Sequence, residues 1–363
     1  MTAYSFEPLD TLFFRDAQPF NSGEGGNNIV ASLFPPNPPT LIGALRAMLA
    51  RTRGWTGGDW LPEIKTVLGD RSSLGMLDIR GPYLLRDGKP LFPAPAHLHG
   101  QPHDHAWTNV TLLKPGPPVD CDLGTSVRLP IPATPADDLE SMSEAWLDGN
   151  AMSAVLAAYA PDNGIVHSSA LWSDEPRTGI ARTFETHAVE TGALYTARHV
   201  RMRPKVTLAI GVDGLPDGWT PGSLALTGGE SRMSWVCKLN AGIALPSSPA
   251  LTASQGKLRY TVVLATPALL PSDALKPGNA LANLPGRIVS ACAGHPLKIG
   301  GWEELDRDSK GPLALRALLP PGTTWFMEAR DGDVAQAAKM HGQHVGERPE
   351  WGFGQILIGM WKE

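Results

Sequence analysis

At 363 residues the chain has room for two domains at roughly 150 residues each, and its 42% hydrophobic content is enough for true cores. A net charge of −5 and a pI near 6.1 weigh against a free-standing nucleic-acid binder, which carries a basic surplus, although a local basic cluster escapes that average. Cys121, Cys237 and Cys292 lie far apart without a CxxC pair, which excludes a zinc ribbon or disulfide framework; with no signal-peptide start and no run near 18 apolar residues, a cytoplasmic protein with no membrane partner is expected.

Residues 4–14 read as a first strand that runs into a charged pair, Arg15 and Asp16. A glycine-rich loop (Gly23, Gly25, Gly26) and a proline gate (Pro35, Pro36, Pro38, Pro39) follow, placing a pliable backbone at a strand-to-helix connection where it can approach a phosphate or base. Asn37 or Thr40 then caps a helix with apolar positions Leu41, Leu45, Met48 and Leu49; Arg51 and Arg53 fall in its last turn, and Gly54 just past its end. Residues 77–93 form two strands around Asp87-Gly88, a hairpin signal. Strand, helix and hairpin in that order open a βαββαβ, ferredoxin-like unit. Residues 94–176 read as an insertion: a His/Pro-rich loop, a weak helix at 138–147 and an alanine-rich helix at 151–160. After 179–211 comes a turn-rich boundary at 213–221. Strand-like runs at 223–226, 233–239, 258–265, 322–328 and 355–361, with a helix at 333–340, suggest a second, more degraded unit of the same kind. The expected fold is therefore α+β, with two ferredoxin-like (RRM-like) domains at 1–213 and 214–363.

The strongest chemical feature is a basic segment from His199 to Ile210. Read as one strand, its odd positions His199, Arg201, Arg203 and Lys205 share a face, while Val200, Met202, Val206, Leu208 and Ile210 share the other. Arg198 adds a charge upstream, and no acid follows until Asp213. Such a row repeats every ~7 Å, near the spacing of single-strand phosphates, and fits RNA backbone contact; a solvated face or an acidic protein partner fits it too. Upstream, Arg177, Arg182 and Thr183 are candidate phosphate or base contacts. Near the C-terminus, Gly352 and Gly354 would let the backbone run beside a ligand, with Phe353 placed to stack on a base. That GxG lacks the strand-then-helix context of a dinucleotide site. His97, His99, His103 and His105 with Asp104 could supply metal ligands, but they sit among prolines, and neither a metal nor a cofactor is expected. A P-loop, a GxSxG elbow and an RRM-type aromatic motif are all missing. A ribonuclease would need a histidine beside the scissile ribose, and only His187 and His199 lie near the arginines.

Several motifs recur together in a fixed order: the opening PLDTLFFRDAQPFNSGEGG segment, Gly179-Ile180, Arg182-Thr183, Gly192 to Tyr195, TGGESR ending in Arg232, IGGW containing Gly300, Gly301 and Trp302, and the terminal GFGQILIGMW containing Gln355. In that order, over both halves, the chain resembles the type III-B CRISPR-associated RAMP proteins, and among them the third subunit of the Cmr effector complex. Ala17 and Gln18 depart from the pattern, and 94–176 matches none of it. The resemblance implies two RAMP domains in a non-enzymatic, RNA-binding subunit of an antiviral ribonucleoprotein. It implies that this subunit caps the 5′ repeat-derived handle of the guide RNA (crRNA). It further implies docking to the large Palm-domain subunit and to the first backbone RAMP subunit, with target RNA met indirectly. The alternatives are a RAMP endoribonuclease processing precursor crRNA with His199 or His187 as base, and a pure protein-protein scaffold.

Overall fold

The computed structural model describes residues 1–15, 28–70, 72–183, 186, 189–300, 302–304, 310–312 and 314–363. It is a mixed α/β architecture dominated by strands, at 42% against 14% helix. The first strand, Thr2–Pro8, lies inside an eight-stranded sheet, third from one edge. Val206–Asp213 pairs with it on one side and Met233–Lys238 on the other, both antiparallel, and Asp78–Arg86 pairs beyond Val206–Asp213. Numbered by their order in the chain, these four strands run 4-1-3-2 across the sheet. The helix Pro38–Thr52 connects the first to the second. Asn37 occupies its N-cap in an extended conformation, and Pro38 and Pro39 fill the first turn, where a missing N–H costs nothing. Its buried stripe (Leu41, Ile42, Leu45, Met48, Leu49) packs with Phe6, Leu84, Leu208 and Ile210 in one core. The expected hairpin forms as Asp78–Arg86 and Lys89–Pro93, with Asp87 at φ 51° and Gly88 at φ 74°, the left-handed pair that a tight hairpin turn demands.

The second half repeats the pairing order. Lys257–Leu264 lies between Thr324–Arg330 and Ile356–Met360, and Arg287–Cys292 pairs outside Thr324–Arg330. Here the first crossover carries no helix among its described residues, whereas the second retains a short one, Val334–Lys339. A further core cluster draws Tyr83, Leu85, Phe92 and Met152 together with Val263 and Leu357, so both halves share apolar interior.

Two expectations are corrected. Residues 94–176 are mostly strand: Leu98–His103, Ala106–Cys121, Gly124–Pro132 and Glu140–Ser141 form a separate four-stranded sheet. The weak helix at 138–147 is absent, replaced by Glu140–Ser141 and by Ala145–Leu147, whose three buried side chains join the edge of the main sheet; the helix after it spans Gly149–Leu156. Of the histidine run, His99 and His103 lie in the paired strand Leu98–His103, while His97, Asp104 and His105 fall in the turns on either side of it. The basic segment 199–210 is likewise two strands. Val189–Met202 forms a long antiparallel hairpin with Trp172–Arg182, and Val206–Asp213 belongs to the main sheet. Pro204 has no N–H for a ladder and Lys205 turns left-handed at φ 66°, so the chain changes sheets between them. Linear alternation carried through a turn it could not register.

Candidate nucleic-acid interface

The opening segment, the TGGESR turn and the Pro38–Thr52 helix converge. Beyond the first strand, Leu12 exchanges backbone hydrogen bonds with Val200 at 2.8 Å each, and Arg15 bridges to Ser32. Phe14 N–H donates to Ser32 Oγ at 2.7 Å, and Leu33 N–H donates to Phe14 O at 2.8 Å, so residues 12–15 and 32–33 are fixed on both sides of the glycine loop. The TGGESR turn docks against the same place: Gly229 N–H donates to Phe13 O at 2.8 Å. Gly228 sits at φ 90°, and a Cβ there would come within 2.5 Å of Phe13 O and 2.9 Å of the Phe14 ring, so only glycine fits. The result is a cleft of about 390 Å³ whose walls include Arg15, Gly228, Gly229, Thr40, Gly43 and Arg51. Gly43 faces it from mid-helix with nothing within 4 Å of the Cβ position, so no packing contact explains the glycine. Thr40, Gly43, Ala47 and Arg51 recur at helical spacing; that periodicity was the signal available in the sequence for this wall, and the apolar stripe beside it masked it. Asp16, Gly23, Gly25 and Gly26 lie outside the described residues.

Arg201 of the expected basic row is neutralised in space, together with Arg177 and Arg232. Asp10 receives Arg177 Nη2 at 2.7 Å, Arg201 Nη2 at 2.9 Å and Arg232 Nη1 at 3.3 Å. Glu175 pairs with Arg201 and, at 2.9 Å, with Arg177, while Glu230 lies 3.3 Å from Arg232. Hydrogen bonds from Arg177 and Arg201 hold the Asp10 carboxyl down to about 2, and those from Arg201 and Arg177 do the same for Glu175. The acids come from positions 10, 175 and 230, so no stretch of sequence displays the balance. Arg198 lies 4.0 Å from Asp174, Lys205 pairs with Asp87 at 3.3 Å, and Arg203 Nε donates to Ser169 O at 3.3 Å. Arg182 is exposed near the hairpin's end, and the hydroxyls of Thr183 and Thr186 are in contact.

His199 points inward, contrary to the shared-face expectation. It is 0% exposed, with Nδ1 3.0 Å from Thr11 Oγ1, Nε2 3.1 Å from a Glu230 oxygen, and its ring stacked on Phe13 at 5.0 Å. Burial lowers its pKa, with Glu230 acting in the opposite sense. A side chain so enclosed does not reach a ribose, which counts against His199 as the base of a ribonuclease. His187 lies outside the described residues.

The terminal glycine motif is structural. Phe353 is 0% exposed and packs with Leu269 and Leu318, so it is not a stacking platform. Gly352 (φ 78°) and Gly354 (φ 72°) let the backbone pass Gly81 O and Val345 O, which a Cβ would approach to 2.4 and 1.9 Å. Gln355 is buried and accepts the Tyr83 hydroxyl at 2.6 Å. Gly300 is half-buried, Gly301 lies outside the described residues, and the Trp302 backbone pairs with Pro312. His97 is also buried, 3.0 Å from Thr324 Oγ1. Among the described residues, no group of three or more His, Cys, Asp or Glu is arranged to hold a metal.

A family model described as CRISPR-associated protein (Cas_Cmr3) matches residues 4–361. No curated protein matches the chain. Among solved structures, a chain of the type III-B Cmr-beta complex bound to cognate target RNA is similar at 18% identity, covering 89% of this chain and 86% of that one, with a TM-score of 0.49. The same kind of assembly bound to target RNA and AMPPnP gives 17% identity, 93% and 88% coverage and 0.49. A chain of the Csm3-Csm4 subcomplex of the type III-A CRISPR-Cas interference complex gives 9%, full coverage of both chains and 0.39.

Proposed function

The chain belongs to the CRISPR-associated Cas_Cmr3 family and is a subunit of a type III-B CRISPR effector complex in antiviral defence, and from that premise we propose that it caps the 5′ handle of the crRNA without catalysing a reaction. The observation that carries this reading is the cleft itself. Arg15 and Arg51 line it together with Gly43, Ala47, Gly228 and Gly229, a combination of guanidinium donors and small residues that suits the close approach of a phosphodiester. The arginines around Asp10 form a second, masked set: three guanidinium groups converging where one carboxylate now sits. On this reading the two 4-1-3-2 strand sets are ferredoxin-like RAMP units, the first keeping one of its two helices and the second keeping the other. Docking to the large Palm-domain subunit and to the first backbone subunit completes the role. The inward turn of His199 favours a binding subunit over a processing nuclease.

Arg15→Ala and Arg51→Ala test it in the assembled complex. Both side chains are exposed, so each change should cost no more than about 1 kcal/mol of stability. Each should weaken handle-RNA binding and shallow its salt dependence by about 0.7 in log–log slope per lost phosphate contact. Wild-type affinity and slope in both variants would remove the cleft from the RNA path.

A further inference from the structure

The same Pro38–Thr52 helix carries, outside the lining of that cleft, a buried cation with no direct ion pair among the described residues. Arg46 is 7% exposed, with its guanidinium carbon 5.0 Å from the Trp60 ring and 5.4 Å from the Trp351 ring. Its one hydrogen bond runs from Nη2 to the Asp70 backbone oxygen at 2.6 Å, and its Nε is buried with no partner. Among the described residues no carboxylate lies within ion-pair distance of it. The one carboxylate that acts on it, Asp70, does so through its charge at a distance, while its Oδ1 accepts from Ser72 N and Ser72 Oγ at 2.8 Å each and from Ser73 N at 3.0 Å. Burial lowers the Arg46 pKa to about 10, with the Asp70 charge acting in the opposite sense and not restoring it. A buried guanidinium with an unpartnered Nε and no direct ion pair is a net cost to a folded chain, so its retention at the wall of an open cleft asks for an acceptor from outside.

That cleft measures about 510 Å³, and Arg46, Asp59, Trp60, Lys65 and Asp70 are among its walls. Two cations face two carboxylates there, so the local charge cancels and a polyanion gains no general attraction. A single carboxylate placed against Arg46 gains a direct partner. The rim suits a protein surface: Leu61 is 54% exposed, and Trp60 and Trp55 are half-buried and meet edge-to-face at 6.1 Å. Tryptophan and arginine are the residue types enriched among interface anchors. We propose that the cleft over Arg46 receives an aspartate or glutamate side chain from another protein subunit of the same effector complex, Trp60 and Leu61 packing around the stem. The proposal rests on the chain's place in a multi-subunit effector and is independent of the handle cleft.

The test uses the assembled complex treated with a carbodiimide, which joins an amine and a carboxylate only when they touch. Mass spectrometry should find Lys65 Nζ joined to an aspartate or glutamate of another subunit. Arg46→Gln should abolish that cross-link and weaken association of the chain with that subunit by about 30-fold or more, the scale of breaking a buried charge pair, and Arg46→Lys should fall between. Arg46→Gln should melt no lower than wild type, because it removes an unpaired buried charge, and should bind handle RNA as wild type does. Assembly of Arg46→Gln at wild-type affinity, absence of any inter-subunit link from Lys65, or loss of RNA binding instead of subunit binding would each overturn the proposal. A wild-type chain that entered no complex would overturn the effector reading and this proposal with it, an outcome separate from all three.

Discussion

Asp10→Asn should strengthen RNA binding while weakening the fold, a pair of opposite signs that follows from the geometry of the charged cluster. The Asp10 side chain is 47% exposed and is shared by Arg177, Arg201 and Arg232. Exposed pairs contribute about 0.2–1 kcal/mol each, and three pairs sharing one carboxylate are not additive, so the expected loss of stability is about 1–2 kcal/mol. In a chain of this size that is a fall of a few degrees in Tm. The same change moves the cluster from three cations against three carboxylates (Asp10, Glu175, Glu230) to a net charge of +1. If phosphates compete with Asp10 for these arginines, handle RNA should bind about two- to fivefold tighter, the worth of one exposed pair no longer competing. Arg201→Gln should also melt early but bind more weakly, with a salt slope shallower by about 0.7. Fluorescence anisotropy on labelled handle RNA across a salt series, beside a thermal melt, reads both quantities. Handle binding at the wild-type level in both variants would show the cluster to be a brace and nothing more. The pH dependence adds a check of sign. Asp10 and Glu175 are held near 2, below their unfolded values, so their contribution is present above pH ~4 and is lost as pH falls toward 2.

Phe353→Ala should cost about 3–5 kcal/mol in chemical denaturation, the range for emptying a fully buried aromatic site, and leave RNA affinity of the folded fraction unchanged; reduced affinity without reduced stability would restore it as a stacking residue. Gly354→Ala places a Cβ 1.9 Å from Val345 O at a left-handed φ, and soluble yield or denaturation midpoint should fall by more than for Gly88→Ala, where the Cβ meets nothing within 4 Å. Burial holds His97 near 3 and His344 near 4, both below the unfolded value of ~6.5, so their stabilising effect is full above pH 6.5 and is lost as pH falls. Between pH 6 and 4 the slope should approach about 1.4 kcal/mol per pH unit for each of the two, and His97→Gln should flatten it. Elemental analysis of purified protein should find no stoichiometric zinc; one metal per chain, lost on replacing His103 and His105, would contradict this.

Local signals were legible where one chemistry acted alone. The 41/45/48/49 spacing located the first helix, with Asn37 rather than Thr40 at its N-cap and making no side-chain capping bond, and Asp87-Gly88 located the hairpin, because backbone preference and burial agree there. The 94–176 segment misled for a physical reason. Residues 138–147 hold helix-compatible residues, but sheet-edge pairing of Ala145–Leu147 with Lys89–Pro93 and Ile165–His167 outweighs their weak preference. The candidate site was legible in part. Arg15 and the TGGESR glycines do meet, whereas the basic segment looked bare only because Asp10, Glu175 and Glu230 reach it from distant positions. The Arg46 sandwich had no linear trace, since Trp60 and Trp351 come from separate halves. The glycines and Phe353 of the terminal motif look alike whether a ligand or a close-packed interior requires them, and here the interior does.

The strand Ile356–Met360 is translated after everything it packs on. Leu357 fills a core with Tyr83, Leu85 and Met152, Gly359 lies against Leu156, and Gln355 satisfies the Tyr83 hydroxyl. From Val263 to Leu357 a ribosome spends on the order of 5 to 20 s, and for that interval the earlier part of the chain carries an open apolar seam and an unanswered hydroxyl. Maturation is therefore gated by the late strand rather than completed half by half. A nascent chain stalled short of residue 356 displays that seam to chaperones and proteases, so only chains carrying the late strand close it before they meet other subunits and RNA.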